Sequence, residues 1–189
     1  MVDEDFATIR SLWGEEGTMA SLLLNERVEA SGPIELIEQI VTAHDWPYDR
    51  RNDDEMTVFV AGNWSEYSLH FAWNQNAADD FGGLQFVCAF DGRVPEGSHA
   101  GMYKLLALIN AQMWLGHFDI APEESLLMYR HGVLLPDRVG ATAEQCENLI
   151  EIALTECDRY YQAFQFVLWG GKTPEEAMAS ALFETVGEA

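Results

Sequence analysis

"LLALINAQMWLGHFDI", residues 105–120, is an apolar helix that runs straight into a strand. Leu105, Leu106, Ile109 and Met113, with Met102 one turn earlier, recur at i, i+3 and i+4 spacing and form one helix face. Asn110 stands one residue beyond Ile109, at the edge of that face, where an amide can tie the helix to a sheet or to a partner helix. Gly116 permits the reversal from helix to strand. In the strand, His117 alternates outward while Phe118 and Ile120 point in. The stretch is therefore predicted to be the joint of a fold, not an active site.

Working outward from the joint, the chain before it reads as one helix and three strands. "SGPIELIEQIVTAHDW" has Pro33 at a first helical position, Glu35 in the first turn and Pro47 as its stop. Three period-two runs follow: Met56, Val58 and Val60; then Tyr67, Leu69, Phe71 and Trp73; then Leu84, Phe86, Cys88 and Phe90. "GNWS" is a hairpin-length turn, "NQNAADDFGG" a longer acidic loop, and Ser98 a candidate cap for the helix after "DGRVPEGSHAG".

Beyond the joint, "SLLMYRHGVLL" reads as another strand. Thr142 to Gln145 has the spacing of a capping box, and the helix it opens carries Cys146, Leu149, Ile150, Ala153, Cys157, Tyr160, Tyr161 and Phe164 on its inner stripe. Thr173, Pro174 and Glu176 start a last helix. The expected fold class is α+β, an antiparallel sheet with helices packed on it, in the order α-β-β-β-α-β-β-α-α. The expected organisation is an acidic N-terminal arm over 1–31 and a single domain over 32–189. The arm is read either as flexible or as a segment that docks on its own body or a neighbour's.

Composition narrows the function classes. Of 189 residues, 48% are hydrophobic, enough for one sizeable core without a metal or disulfide. Lys and Arg total 10 against 32 Asp and Glu, a net charge of −22. Such a surface repels phosphate backbones and anionic lipid, so neither nucleic acid nor a membrane is an expected partner. It suits a partner with basic or apolar segments. Cys88, Cys146 and Cys157 form no C-x-x-C pattern, and the acidic start "MVDEDFATIR" is unlike a signal peptide, so a cytoplasmic location is expected.

Motifs for chemistry are sparse. "GGKT" at 170–173 has Phe166 where a phosphate-binding loop needs glycine, and a helix precedes it. The histidines, at 44, 70, 99, 117 and 131, show no H-x-H or H-E-x-x-H spacing. His70, His117 and His131 all fall on strands and could meet across a sheet, which leaves a dispersed, His-based enzyme site as one alternative. "NDDE" at 52–55 and "ADD" at 78–80 read as solvated turns. No catalytic residue, metal ligand or cofactor is assigned. Trp64, in a turn, and Trp73, at a strand end, either cover the sheet margin or form an apolar patch for a partner segment or a small molecule.

The phrases "PIELIEQIVTAHDWPYDRRNDDEMTVFVAGNWSEYSLHFAW", "LLALINAQMWLGHFDI", "ATAEQCENLIEIALTECDRYYQAFQFVLWGGKTPEEAM" and "ALFETVGEA" carry a resemblance to the YbjN family of bacterial proteins, in its alphaproteobacterial form. That family is similar in fold to type III secretion chaperones, which are small, acidic, usually dimeric α+β proteins that bind extended segments of clients. The resemblance implies a non-enzymatic, homodimeric adaptor or sensory-transduction regulator that captures a peptide segment of a protein client. Leu106, Ile109 and Met113 are the candidate dimer contacts, with plain core as their other reading, and Trp64 and Trp73 the candidate partner-binding patch. A small-molecule sensor is the further alternative.

Overall fold

The computed structural model describes residues 32–75, 81–136 and 141–184. The expected arm over 1–31 and part of the acidic loop, 76–80, lie outside the described residues. Helix α1 spans Pro33–Ala43, with Gly32 in an extended conformation as its cap and Pro33 at the first position. A proline costs nothing there, because that N–H has no intrahelical acceptor. Ile34, Leu36, Ile37, Ile40 and Val41 are its buried side.

Strand β1, Tyr48–Arg50, follows Pro47 at once. Three residues are too few to show a period, so this strand was not legible as a run. It exists because the Pro47 carbonyl accepts from the Phe59 amide at 2.9 Å and zips the segment onto its neighbour. Strands β2 (Glu55–Ala61), β3 (Glu66–Gln75) and β4 (Phe81–Arg93) form the expected three-stranded meander. Helix α2 spans His99–Asn110; β5 (His117–Ile120) and β6 (Leu126–Pro136) follow. The order is the expected one with β1 added.

All pairings are antiparallel, and the strand order is β1-β2-β3-β4-β6-β5. The alternating sets named from the sequence face the helices: Met56, Val58, Val60, Tyr67, Leu69, Phe71, Leu84, Phe86, Cys88 and Phe90 are all buried. Phe118, Ile120, Leu127 and Tyr129 complete this face from the other side of the sheet. Between them, Thr57, Phe59, His70, Gln85 and Arg130 are exposed or half-buried, so the opposite face carries no helix layer among the described residues.

Helix α3, Ala143–Leu168, crosses the sheet. Its capping box is complete: Thr142 Oγ1 accepts from the Gln145 amide at 3.2 Å, and Gln145 Oε1 accepts from the Thr142 amide at 3.0 Å. Cys146, Ile150, Ala153, Cys157, Tyr160 and Phe164 are buried along it as expected; Leu149 and Tyr161 are half-buried at its flanks. Helix α4, Pro174–Glu184, opens with the same device, since Thr173 Oγ1 accepts from the Glu176 amide and Glu176 accepts from the Thr173 amide. Ser98 makes no side-chain cap bond. A 3₁₀ turn over Glu96–Ser98 leads directly into α2 instead.

Candidate functional site

The joint explains its own sequence. Asn110 Oδ1 accepts from the Phe118 amide at 2.8 Å, and Asn110 Nδ2 donates to the Phe118 carbonyl at 2.9 Å. The pairing register shows why Phe118 needs this. Ala121 donates to the Leu126 carbonyl, which makes 121/126 a hydrogen-bonded pair. Alternation then points residues 119 and 117 of β5 at β6, and turns Phe118 and Ile120 to the outer side of the sheet. Asn110 takes both outward groups of Phe118, and Asp119 Oδ1 takes the Ile120 amide at 2.8 Å. One side-chain amide thus stands in for a missing strand. Gly116 lets the chain turn into β5 with φ of 63°, and a Cβ there would strike the buried Tyr129 ring.

Along β6 the same alternation has a different ending. Residues 126, 128 and 130 direct their backbone groups to β5, and the odd-numbered residues direct theirs to β4. Strand β5 stops at His117, opposite Arg130. From His131 to Leu135, β6 is therefore outermost among the described strands, and the N–H and C=O groups of Gly132 and Leu134 face outward. No side chain among the described residues covers them. Pro136 brings no further donor. The segment carries no Asp, Glu, Lys or Arg, and Leu134 is 72% exposed. The far margin is managed otherwise: β1 is three residues long, bears Asp49 and Arg50, and has Arg50 held by Glu35 at 2.6 Å and by Glu38.

The residues singled out from the sequence fall into three groups. Trp64 is half-exposed in the β2–β3 turn. That turn is fixed from α3, because Asp158 accepts from the Asn63 amide at 3.1 Å and from the Tyr67 hydroxyl at 2.7 Å. Burial pushes the Tyr67 hydroxyl far above its ordinary pKa, and Asp158 adds to that, so Tyr67 is a permanent donor. Trp73 is half-buried against the core, with its ring over Gly82, and shares a cross-strand row with Leu84 and Val133. The two tryptophans sit at opposite ends of β3 and make no single patch.

The structure puts Leu106 and Ile109 inside the core of their own chain, with Met113 packed against it. A stripe at i, i+3, i+4 spacing on α2 faces its own sheet, and a second copy on this helix would meet Tyr103 and Ala107 instead. The histidines do not converge. His70 and His117 lie on the open face in one row with Val87 and Arg130, and His131 is one residue out of that row and faces the helices. His70 Nδ1 is 2.9 Å from Thr57 Oγ1, and burial lowers its pKa. Among the described residues, no group of three or more His, Cys, Asp or Glu could hold a metal ion. A depression of ≈ 210 Å³ beside Arg51, Glu55, Thr57 and His70 is smaller than an ordinary small-molecule site.

Sequence reasoning missed Leu134 and the exposed Trp114 and Trp169. Only the length of β5 reveals the free edge, and four residues at a strand end give no advance signal. No helix among the described residues is long and apolar enough to cross a membrane.

Comparison with known proteins agrees with the phrases quoted above. The YbjN family, described as "Putative bacterial sensory transduction regulator", matches residues 33–166. The chain belongs to the YbjN family. The match starts at the first residue of α1 and ends inside α3, so α4 lies beyond it. Among solved structures, the chain is similar to that of YbjN from E. coli, "a putative transcription regulator", at 12% identity and a TM-score of 0.40. That similarity covers 68% of this chain and 93% of the E. coli chain. No curated protein matches the chain.

Proposed function

We propose that this YbjN-family protein is a cytoplasmic, non-enzymatic regulator that works by binding an extended segment of a partner protein along β6, from His131 to Leu135. The observation that carries this reading is the contrast between the two stretches of outer strand. On β5 the outward backbone groups of Phe118 and the Ile120 amide are met by side chains, whereas those of Gly132 and Leu134 have no partner among the described residues and stand beside an exposed leucine. Backbone N–H and C=O groups in register recognise another extended backbone.

The chemistry of the occupant follows from the surroundings. Two hydrogen-bonding residues on the edge fit a segment of about five residues, with an apolar side chain to lie against Leu134. A residue opposite Val133 would lengthen the Trp73–Leu84–Val133 row on the helix-facing side, which gives Trp73 an indirect part in the site. The net charge of −22 favours basic residues on either flank. Trp64, at the other end of the sheet, is a separate contact.

The test is selection from a random displayed-peptide library on the immobilised full chain, repeated with Gly132→Pro, which removes one edge donor and places a ring against any incoming strand. Wild type should enrich extended apolar sequences with basic flanks, and Gly132→Pro should not. Equal enrichment by both, or none by either, overturns the reading. A homodimer that Gly132→Pro dissolves in light scattering would make a second copy the occupant, with Gly132 opposite Leu134 of its partner, and would overturn it too.

A further inference from the structure

Cys88 lies in the middle of β4, opposite Leu69 on one side and Tyr129 on the other. Cys157 lies on the inner stripe of α3. They are 69 residues apart in the chain, yet Cys157 Sγ is 3.4 Å from Cys88 Sγ, and both are fully buried. All three cysteines are free thiols. A disulfide brings sulfurs to about 2.05 Å. The pair needs to close by a little over 1 Å, which is within the reach of side-chain rotation.

We propose that Cys88 and Cys157 form an oxidation site, at which a peroxide-class oxidant creates a disulfide that staples α3 to the centre of the sheet. One thiol, deprotonated to its thiolate, attacks a peroxide oxygen, the O–O bond breaks, and the hydroxide that leaves takes up the thiol's proton, so that a sulfenic acid and one water result. The second thiol then attacks the sulfenic sulfur, the S–O bond breaks, and a second water leaves. Two thiols lose two electrons and two protons in all, and hydrogen peroxide becomes two waters.

Burial also raises the Cys157 thiol well above its ordinary pKa, so few thiolates exist in the closed fold. Oxidation therefore proceeds through brief openings of α3 and is slow, but closure afterwards holds the two sulfurs together. Cys146, buried on the same helix with its pKa pushed up to about 12, is an internal control. Eleven residues from Cys157, it lies roughly 16 Å away along the helix axis and cannot bridge to it. Asp158, next to the staple, is the residue that holds the Trp64 turn, so the disulfide would fix that contact as well.

The experiment treats the folded full-length chain with hydrogen peroxide, then alkylates it with N-ethylmaleimide in denaturant and reads intact mass and linked peptides. The expected product carries one alkyl group in place of three and a Cys88–Cys157 linked peptide, both reversed by dithiothreitol. Its melting temperature should rise by about 5 °C or more, because the bond closes a long loop in the unfolded chain. Cys146→Ser should form the same bond, and a chain oxidised in urea should lose the preference for this pair. Three alkyl groups after oxidation overturn the proposal. So do oxygen adducts on Cys157 without the link, or a bond that contains Cys146.

Discussion

The two outer stretches of the sheet beyond β4 belong to neighbouring strands but solve the same problem oppositely. On β5, both outward backbone groups of Phe118 are consumed by Asn110, eight residues back along the chain. On β6, from His131 to Leu135, the equivalent groups of Gly132 and Leu134 have no such cover among the described residues. An edge strand is a template for any other strand, and a chain that closes one stretch with a dedicated amide while leaving the next apolar and open has separated a structural edge from a binding edge. The distinction rests on the length of β5: with four more residues it would pair His131–Leu134 and remove the site.

The largest test of this comparison is to open the closed edge. Asn110→Leu keeps the volume and apolarity of the helix face but leaves the Phe118 N–H and C=O half-buried and unmatched. Each unsatisfied group costs about 1–3 kcal/mol, so urea denaturation should show a loss of about 3 kcal/mol. A loss below about 1 kcal/mol would show that water reaches both groups, and the two edges would then be alike. Gly116→Ala should follow at about 2 kcal/mol or more, from its positive φ and from the Cβ pressed into Tyr129. If Gly116→Ala unfolds at the wild-type midpoint, the tight approach of the joint to Tyr129 is not part of what holds β5 in place.

Much of this architecture was legible because it repeats. Period two in the runs of Met56, Leu69 and Phe86, the stripe through Cys157 and Phe164, and the two capping boxes each offer several residues in agreement. Asn110 was legible for another reason, as a polar residue out of keeping in an apolar run beside a glycine. What was hidden is set by partners distant in sequence. Strand β1 depends on the Pro47–Phe59 hydrogen bond, the thiol contact joins residues 69 apart, and Leu106 and Ile109 read equally well as core or interface until the sheet is placed beside them. The free edge was hidden most completely, since it consists of a strand that ends early.

Replacing the exposed leucine on the open edge should be nearly silent in stability. Leu134→Lys removes an exposed apolar group and should move unfolding by no more than about 0.5 kcal/mol. Hydrogen exchange reads the same contrast without mutation. The Phe118 amide should be protected, and those of Gly132 and Leu134 should exchange at close to the rate of an exposed chain. Protection at 132 and 134 in dilute protein would mean that something already covers the edge.

The smallest effect lies where the two edges meet. His131 is the first residue past the end of β5, half-buried on the helix-facing side, and its pKa is lowered first by burial and then by the charge of His117, the residue where β5 begins. A histidine whose folded pKa lies below its unfolded value of 6.5 adds nothing to the pH dependence of stability above that value, because both states are then neutral. As pH falls below 6.5 the unfolded chain takes up the proton first, so stability declines until the folded pKa is passed. Ring titration by NMR should place His131 below 6.5, and His117→Gln should bring it part of the way back. A strand bound along Gly132 and Leu134 would bury His131 further and lower it again, so the same titration reports occupancy of the edge. A His131 that titrates at 6.5 or above, unmoved by His117→Gln, would mean that the end of β5 is frayed and that the boundary between the closed and the open edge lies nearer to Phe118 than to Arg130.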